Sequence, residues 1–114
     1  MNLDYICIKH AQQLPGDEKI FRKALGVLEE DGVYAMFLWL ERNQKKTIIN
    51  GFCRLLNDIK DYICVDEFEE DFNGFAENLK EVASDLESLI LVKKILQRTL
   101  IYALYHAGVE EDVE

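Results

Sequence analysis

Hydrophobic residues recur every three to four positions along most of the chain, which is the spacing of one buried face of an α-helix. The first such segment, Leu3–Gln13, is followed by the helix-breaking pair Pro15-Gly16. Asp17 comes next, where its side chain can cap the amides of a second helix. The core-facing stripe of that helix has the i, i+4, i+7, i+8 spacing: Ile20, Phe21, Ala24, Leu25, Val27 and Leu28.

A third helix is predicted over Val33–Arg42, after the break at Asp31-Gly32. Its apolar residues lie on nearly every side: Tyr34, Met36, Phe37, Leu38, Trp39 and Leu40. A helix without a polar face is usually buried on most sides. We therefore expect this helix at the centre of the core.

The pattern continues after a polar turn at Asn43–Lys46, where Thr47 is placed to cap a fourth helix that runs to about Cys64. Gly51 lies inside this helix and costs about 1 kcal/mol relative to alanine, which leaves the start of the helix less defined. The acidic segment Asp66–Asn73 follows.

Two further helices are predicted beyond the acidic segment. A short helix covers Phe75–Ala83, and Ser84-Asp85-Leu86-Glu87 matches the capping box in which serine and glutamate satisfy two free amides. This box would open a long last helix, Asp85–Ala107, which Gly108 would end.

Strand signals are nearly absent, since no sustained alternation of apolar and polar residues occurs. The predicted fold class is all-α: a compact bundle of five or six helices with a long C-terminal helix. The bundle would form one domain over residues 1–108, followed by an acidic C-terminal tail at 109–114.

Composition and charge narrow the classes of partner. The chain has 114 residues with 22 acidic and 13 basic side chains, a net charge of -9. Because this net charge is negative, the protein as a whole repels phosphates. This argues against charge-driven nonspecific binding to nucleic acid or to anionic membranes. No basic and apolar leader segment is visible, and the apolar runs are too short to span a bilayer. The three cysteines, Cys7, Cys53 and Cys64, are expected to be reduced thiols of a cytoplasmic protein.

The charge is unevenly distributed along the chain. Residues 42–60 carry a local balance of +4, whereas residues 61–90 carry ten acidic side chains against Lys80 alone. Such a dipolar chain can self-associate or bind a protein partner through complementary patches. The alternative is that both regions are simply solvated helix faces.

Basic residues cluster around the predicted turn between the third and fourth helices, with two aromatic residues on the preceding helix. The basic residues are Arg42, Lys45, Lys46 and Arg54, and the aromatic residues are Tyr34 and Trp39. Basic groups beside aromatics can bind single-stranded RNA through phosphate contacts and stacking. Alternatively, both aromatic residues belong to the core and the lysines are only solvated.

Two parts of the sequence contain residue types that bind metal ions. Cys7 and His10 share one face of the first helix and could supply half of a zinc site, but no local spacing supplies the other half. A calcium loop beginning at Glu69 would place Lys80 where a bidentate glutamate is required. We therefore expect no metal and no cofactor.

No motif of an established enzyme class is present. Arg98 and His106 resemble the Arg and His of small helical ribonuclease domains, but seven residues separate them instead of four to six. His106 is better placed to interact with the dipole at the helix end. We expect a protein that is not an enzyme, the alternative being a small helical ribonuclease-like or toxin-neutralising protein.

Residues 17–107 resemble the small helical subunit of type III CRISPR effector complexes in layout. The likeness rests on the apolar helix entered through Glu30-Asp31-Gly32-Val33, the basic turn, and the late aromatics Tyr102 and Tyr105. It implies a non-catalytic filament component that stacks along a guide–target duplex. This chain departs from that family in being acidic outside 42–60 and in its more aromatic third helix. The resulting expectation is a non-enzymatic assembly subunit that contacts protein neighbours and a nucleic-acid backbone.

Overall fold

The computed structural model describes the backbone of residues 2–113 and the side chains of residues 2–109. Within these residues the chain forms six α-helices, one 3₁₀ turn and no strand, which confirms the predicted all-α class and the long C-terminal helix. The helices are α1 (Leu3–Gln13), α2 (Glu18–Asp31), α3 (Val33–Arg42), α4 (Lys46–Asp58), α5 (Phe72–Ala83) and α6 (Leu86–Val113), with the 3₁₀ turn at Lys60–Tyr62.

The long helix α6 is the element around which the others pack. Helices α1 and α2 lie along it, α5 contacts it as well, and α3 packs against α2, α4 and α5. Val92, Leu96 and Leu100 of α6 are fully buried at these contacts. Helix α6 therefore shares the centre of the core with α3, because it packs against α1, α2, α3 and α5.

Helix α3 has two different faces, and the expectation that it is buried on most sides is wrong for one of them. Met36, Phe37 and Leu40 are fully buried, and the ring of Phe37 meets those of Phe52 and Phe75 edge to face. The opposite side of α3 is open to solvent. Its apolar residues do not all pack because only one side of the helix faces α2, α4 and α5.

The first two helix starts follow the sequence prediction. Helix α1 has the predicted bounds, and the Asp17 side chain accepts a hydrogen bond from the Ile20 amide at 2.9 Å, as an N-cap should. Gly32 adopts φ 99°, a conformation that favours glycine, and this allows α3 to start directly after α2.

Helix α4 differs from its prediction at both ends. Thr47 is not the cap, because the helix already begins at Lys46 and Lys45 occupies the N-cap position. The helix ends at Asp58 instead of near Cys64, and the 3₁₀ turn follows it. Gly51 is buried inside α4, where an added Cβ would lie 2.8 Å from Cδ1 of Leu14. The glycine therefore permits close approach of the segment after α1.

The start of α5 and the start of α6 also need correction. Asp71 caps α5 by accepting from the Gly74 amide at 2.9 Å, so this helix begins at Phe72 and not at Phe75. The predicted capping box is wrong, because Ser84 Oγ donates to the Glu81 carbonyl at 2.6 Å. Asp85 takes the capping role and accepts from the Ser88 amide at 3.1 Å.

Helix α6 continues through Gly108 to Val113, so the prediction that Gly108 ends the helix is wrong. A single glycine in a helix costs only about 1 kcal/mol, which the contacts of a long helix readily offset. The predicted acidic tail at 109–114 falls mostly on residues whose side chains lie outside the described ones.

Candidate interaction surfaces

Three of the four basic residues predicted to bind a partner lie at the junction of α3 and α4, and the fourth lies further along α4. We call the four the basic corner: Arg42, Lys45, Lys46 and Arg54. Arg42 ends α3, Lys45 and Lys46 begin α4, and Arg54 lies two turns further along α4. Three of them are exposed and Lys45 is half-buried. None forms a salt bridge with another described residue. Their charges are therefore available to a partner.

The turn that carries the basic corner is formed by backbone hydrogen bonds. The Lys45 amide donates to the Leu40 carbonyl at 2.9 Å and the Gln44 amide donates to the Glu41 carbonyl at 3.1 Å. Together with the positive φ of 58° at Gln44, these bonds form a Schellman motif. The basic side chains take no part in these bonds, so the backbone fixes the turn without them.

The first amides of α4 add a positive end to the same surface. No side chain among the described residues caps this helix, and the Lys45 carbonyl accepts from the Ile48 and Ile49 amides, both at 3.1 Å. A helix N-terminus carries partial positive charge and binds anions through its free amides. The helix dipole thus reinforces the charges of Lys45 and Lys46.

A line of exposed side chains on α3 leads into the basic corner. Tyr34, Leu38 and Arg42 are spaced i, i+4, i+8 and therefore lie on one side of the helix. Tyr34 is 44% exposed and Leu38 is 46% exposed, so the interpretation of Tyr34 as a core residue is wrong. Trp39 is half-buried and packs against the core. The sequence alone did not reveal this line, because apolar residues occur on nearly every side of the predicted helix. It does not show which side of α3 its neighbours leave open.

Residues 66–71, the larger part of the acidic segment, are held in place by two asparagine side chains. Asn57 of α4 accepts from the Phe68 amide at 2.7 Å and donates to the Phe68 carbonyl at 3.2 Å. Asn78 of α5 accepts from the Glu69 amide at 2.8 Å. With Phe68 buried between them, the acidic side chains point outward from a fixed backbone: Asp66, Glu67, Glu69, Glu70 and Asp71 are all exposed.

Cys53 lies beneath the acidic segment and contacts its backbone. Its Sγ lies 3.4 Å from the Glu69 carbonyl oxygen and 3.6 Å from that of Phe68, to which the thiol donates weak hydrogen bonds. Burial, reinforced by the charge of Glu70, raises the pKa of the Cys53 thiol to about 11. The thiol is therefore a neutral structural donor at ordinary pH.

The residues considered for metal binding have other partners. Cys7 Sγ lies 3.8 Å from the Ile95 carbonyl oxygen, and burial raises the pKa of this thiol. His10 Nε2 lies 2.6 Å from Asp58 Oδ2. Asp71, a residue of the considered calcium loop, caps α5. Residues 2–109 contain no group of three or more His, Cys, Asp or Glu side chains that could hold a metal ion.

Arg98 and His106 line two different depressions in the surface. Arg98 Nη1 contacts Asp4 Oδ1 at 3.1 Å, and the Tyr102 hydroxyl donates to the same oxygen at 2.7 Å. These hydrogen bonds lower the pKa of the Asp4 carboxyl. His106 lines a small cavity with Ala11 and Phe21. Helix α6 continues past His106, so its predicted place at the helix end is wrong.

No described helix combines the length and the apolar character needed to cross a bilayer. Comparison with protein families, curated proteins and solved structures gives no significant match to this chain. The assignment of function therefore rests on the surfaces described above.

Proposed function

We propose that this protein is a non-enzymatic binding subunit whose basic corner contacts the phosphate backbone of single-stranded RNA. The observation that supports this most is the exposed line Tyr34–Leu38–Arg42, which continues into Lys45 and Lys46. An aromatic ring, an aliphatic side chain and three cations thus lie in sequence along one surface. This is the arrangement by which sequence-tolerant proteins bind single strands.

The net charge of -9 does not prevent such contact. Interactions between exposed charges fade beyond a Debye length of about 8 Å at physiological ionic strength. A phosphate at the basic corner is therefore governed by the nearby cations, in a region, residues 42–60, whose local balance is +4. The rest of the acidic surface repels RNA and confines it to this corner.

Each part of the corner contributes a different interaction. The arginines, Arg42 and Arg54, can form two parallel hydrogen bonds to one phosphate, and the lysines act as point charges. The ring of Tyr34 offers a stacking surface for a base, worth about 1–3 kcal/mol. The uncapped amides of α4 can donate hydrogen bonds to a further phosphate oxygen.

The resemblance of the sequence to the small helical subunit of type III CRISPR effector complexes leads to a more specific proposal. In that setting the basic corner meets the RNA backbone of an RNA-guided complex, and the acidic segment meets a basic surface on a neighbouring protein subunit. The fixed backbone of residues 66–71 favours this role, because a preorganised segment loses less conformational entropy on binding.

Two matched variants test the RNA proposal. The corner variant replaces Arg42, Lys45, Lys46 and Arg54 with alanine, and the control variant replaces the exposed Lys9, Lys19, Lys23 and Lys80 with alanine. Both variants lose four positive charges from the same starting net charge. Affinity for a single-stranded RNA oligonucleotide is measured at several salt concentrations.

The corner variant should lose at least about tenfold in affinity at low salt, and its salt slope should fall by about 3, or about 0.7 for each lost phosphate contact. The control variant should bind nearly as well as the wild type. Equal losses in the two variants would show that only net charge matters, and unchanged binding by the corner variant would refute the proposal.

The aromatic part of the surface has its own test. Tyr34→Ala should weaken RNA binding by about 1 kcal/mol or more through loss of stacking. Tyr62→Ala removes a ring of similar exposure, 48%, that is not part of this line, and should leave binding unchanged. Equal affinities for these two variants would show that stacking on Tyr34 does not contribute.

A further inference from the structure

One side of α6 carries a continuous line of exposed side chains, which we call the outer stripe. It consists of Leu86, Ile90, Lys94, Arg98, Ile101, Tyr105 and Val109, spaced three or four residues apart. Its apolar members are unusually open: Leu86 is 70% exposed, Ile90 57%, Ile101 41%, Tyr105 72% and Val109 61%. The stripe is about 35 Å long, since each helical residue rises about 1.5 Å.

The outer stripe has apolar residues at equal distances from its centre, since Leu86 corresponds to Val109 and Ile90 to Tyr105, whereas Lys94 corresponds to Ile101. Apolar residues occupy both ends, and polar or basic residues, Lys94, Gln97 and Arg98, occupy the middle. A surface of this kind is complementary to itself when the second copy runs in the opposite direction, as in an isologous two-fold dimer. We propose that a second copy of this chain packs antiparallel along the outer stripe of α6.

The two-fold axis passes near Gln97 and Arg98, halfway between the exposed ends. Leu86 of one copy then lies opposite Val109 of the other, and Ile90 lies opposite Tyr105. All four exposed apolar side chains at the ends of the stripe are thus covered by apolar side chains, which is the main source of association free energy.

The structure also provides a cavity of suitable shape for one of these contacts. A groove of about 500 Å³ lies between α2 and the C-terminal part of α6, lined by Glu18, Arg22, Ile101, Leu104, Tyr105, Gly108 and Val109. Gly108 contributes no side chain, and nothing lies within 4 Å of the place where its Cβ would be. In the antiparallel pair this groove receives Ile90 of the second copy. Exposed Glu87 of that copy lies near Arg22, whose guanidinium also forms a salt bridge with Glu18 of its own chain.

The basic middle of the stripe does not oppose this pairing. Arg98 is already paired with Asp4, whose oxygen lies 3.1 Å from Arg98 Nη1. Lys94 lies opposite Ile101 of the second copy, where its aliphatic stem can cover the apolar surface while the ammonium group stays in water. The two chains repel each other through their net charge of -9, so added salt should strengthen the dimer.

A second copy explains the stripe better than a short foreign helix. Stable interfaces bury roughly 800 Å² on each partner, and an interface that covers both apolar ends of the stripe is larger than one that covers a single end. An antiparallel copy covers both apolar ends at once and brings the α2 wall of the groove into the contact twice. None of the residues involved belongs to the basic corner, so the dimer leaves that surface free.

The oligomeric state of the full chain tests the proposal first. Sedimentation equilibrium from micromolar to millimolar concentration should show a reversible monomer–dimer equilibrium that tightens with salt. Gly108→Leu should weaken the dimer at least about tenfold by filling the groove, and should not lower the melting temperature, because leucine favours a helix more than glycine does. Thr47→Leu, an exposed helical position elsewhere, should not alter the dimer. A chain that stays monomeric throughout, or a dimer indifferent to Gly108→Leu, would overturn the proposal.

Cross-linking tests the antiparallel register, in a Cys64→Ser background that removes the exposed native thiol. A mixture of the Ile90→Cys and Tyr105→Cys chains should form a mixed disulfide dimer on mild oxidation. Ile90→Cys alone should not, because the two copies of that position lie about 22 Å apart along the helix, whereas a disulfide needs Cα atoms within about 7 Å. Efficient cross-linking of Ile90→Cys alone would overturn the antiparallel arrangement.

Discussion

The basic corner and the acidic segment both connect two helices and both present charged side chains, yet they are held in place by different means. The basic corner is built on a Schellman turn made of backbone hydrogen bonds, to which Lys45 contributes its backbone and not its side chain. The acidic segment has no regular backbone pairing, and its shape depends on the side chains of Asn57 and Asn78.

Because of this difference, replacing side chains of the basic corner should change binding, whereas replacing the asparagines beside the acidic segment should change stability. The charged side chains of the basic corner make no hydrogen bonds or salt bridges to other described residues, so their replacement changes the surface and leaves the fold intact. The acidic segment should instead shift when the side chain of Asn57 or Asn78 is removed, because backbone groups of the segment would lose their hydrogen-bond partners. The predictions below test this separation.

The largest effect is expected for Asn57→Ala. This change removes both hydrogen bonds from Asn57 to Phe68, a residue only 2% exposed. The Phe68 amide loses its partner, and the carbonyl keeps only the weak hydrogen bond from the Cys53 thiol. The free energy of unfolding, measured by urea titration, should fall by about 3 kcal/mol. Asn50→Ala is the matched control, since Asn50 is half-buried on the same helix. Equal losses for the two variants would show that Asn57 has no special role.

Alkaline pH should weaken the same region through Cys53. Because its pKa is raised in the folded state to about 11 from an ordinary value of 9.0, the folded protein retains a proton that the unfolded chain loses. The stabilisation is complete below pH 9 and declines as pH rises toward 11, by up to about 1.4 kcal/mol per pH unit. Chemical unfolding across this range should show a shallower decline for Cys53→Ala than for Cys64→Ala, and identical profiles would contradict this account.

A smaller change, and an increase in the free energy of unfolding instead of a decrease, is expected when the backbone of the basic corner is altered. Gln44 has a φ of 58°, which glycine adopts without strain, so Gln44→Gly should raise the free energy of unfolding by about 0.5–1 kcal/mol. Gly32→Ala should have the reverse effect, because φ there is 99°. Thermal unfolding of both variants measures these shifts, and destabilisation by Gln44→Gly would show that the turn is not held as described.

The smallest effect on stability is expected for the corner variant, Arg42, Lys45, Lys46 and Arg54 to alanine. Its free energy of unfolding should lie within about 0.5 kcal/mol of the wild type, as is usual for exposed side chains without partners. Urea titration at moderate salt checks this. A loss above about 1.5 kcal/mol would mean that the corner supports the fold and is not a free surface.

Local signals were enough to predict much of the fold from the sequence. Pro15-Gly16 and Asp31-Gly32 interrupt the helical pattern so strongly that the bounds of α1 and α3 match the structure. Asp17 was identified as a cap because its hydrogen bond spans only three residues. The prediction of Ser84 as the cap is wrong because Ser84 and Asp85 both have side chains suited to capping. The Ser84 hydroxyl donates to the Glu81 carbonyl at the end of α5, and Asp85 accepts from the Ser88 amide.

The candidate surfaces were predicted only in part. The proximity of Arg42, Lys45 and Lys46 along the chain places these three at the junction of α3 and α4, whereas Arg54 lies two turns further along α4. The exposure of Tyr34 and Leu38, the groove above Gly108 and the contacts of Asn57 with Phe68 depend on which helices meet. Local sequence patterns carry no information about such contacts.

A comparison of the corner variant with Asn57→Ala tests the central claim most directly. For each protein, the free energy of unfolding and the affinity for single-stranded RNA are measured in the same low-salt buffer, under conditions in which both are folded. The account predicts that the corner variant keeps its stability and loses RNA binding, while Asn57→Ala loses stability and keeps RNA binding. If the corner variant binds RNA as tightly as the wild type, the basic corner is not the RNA-binding surface.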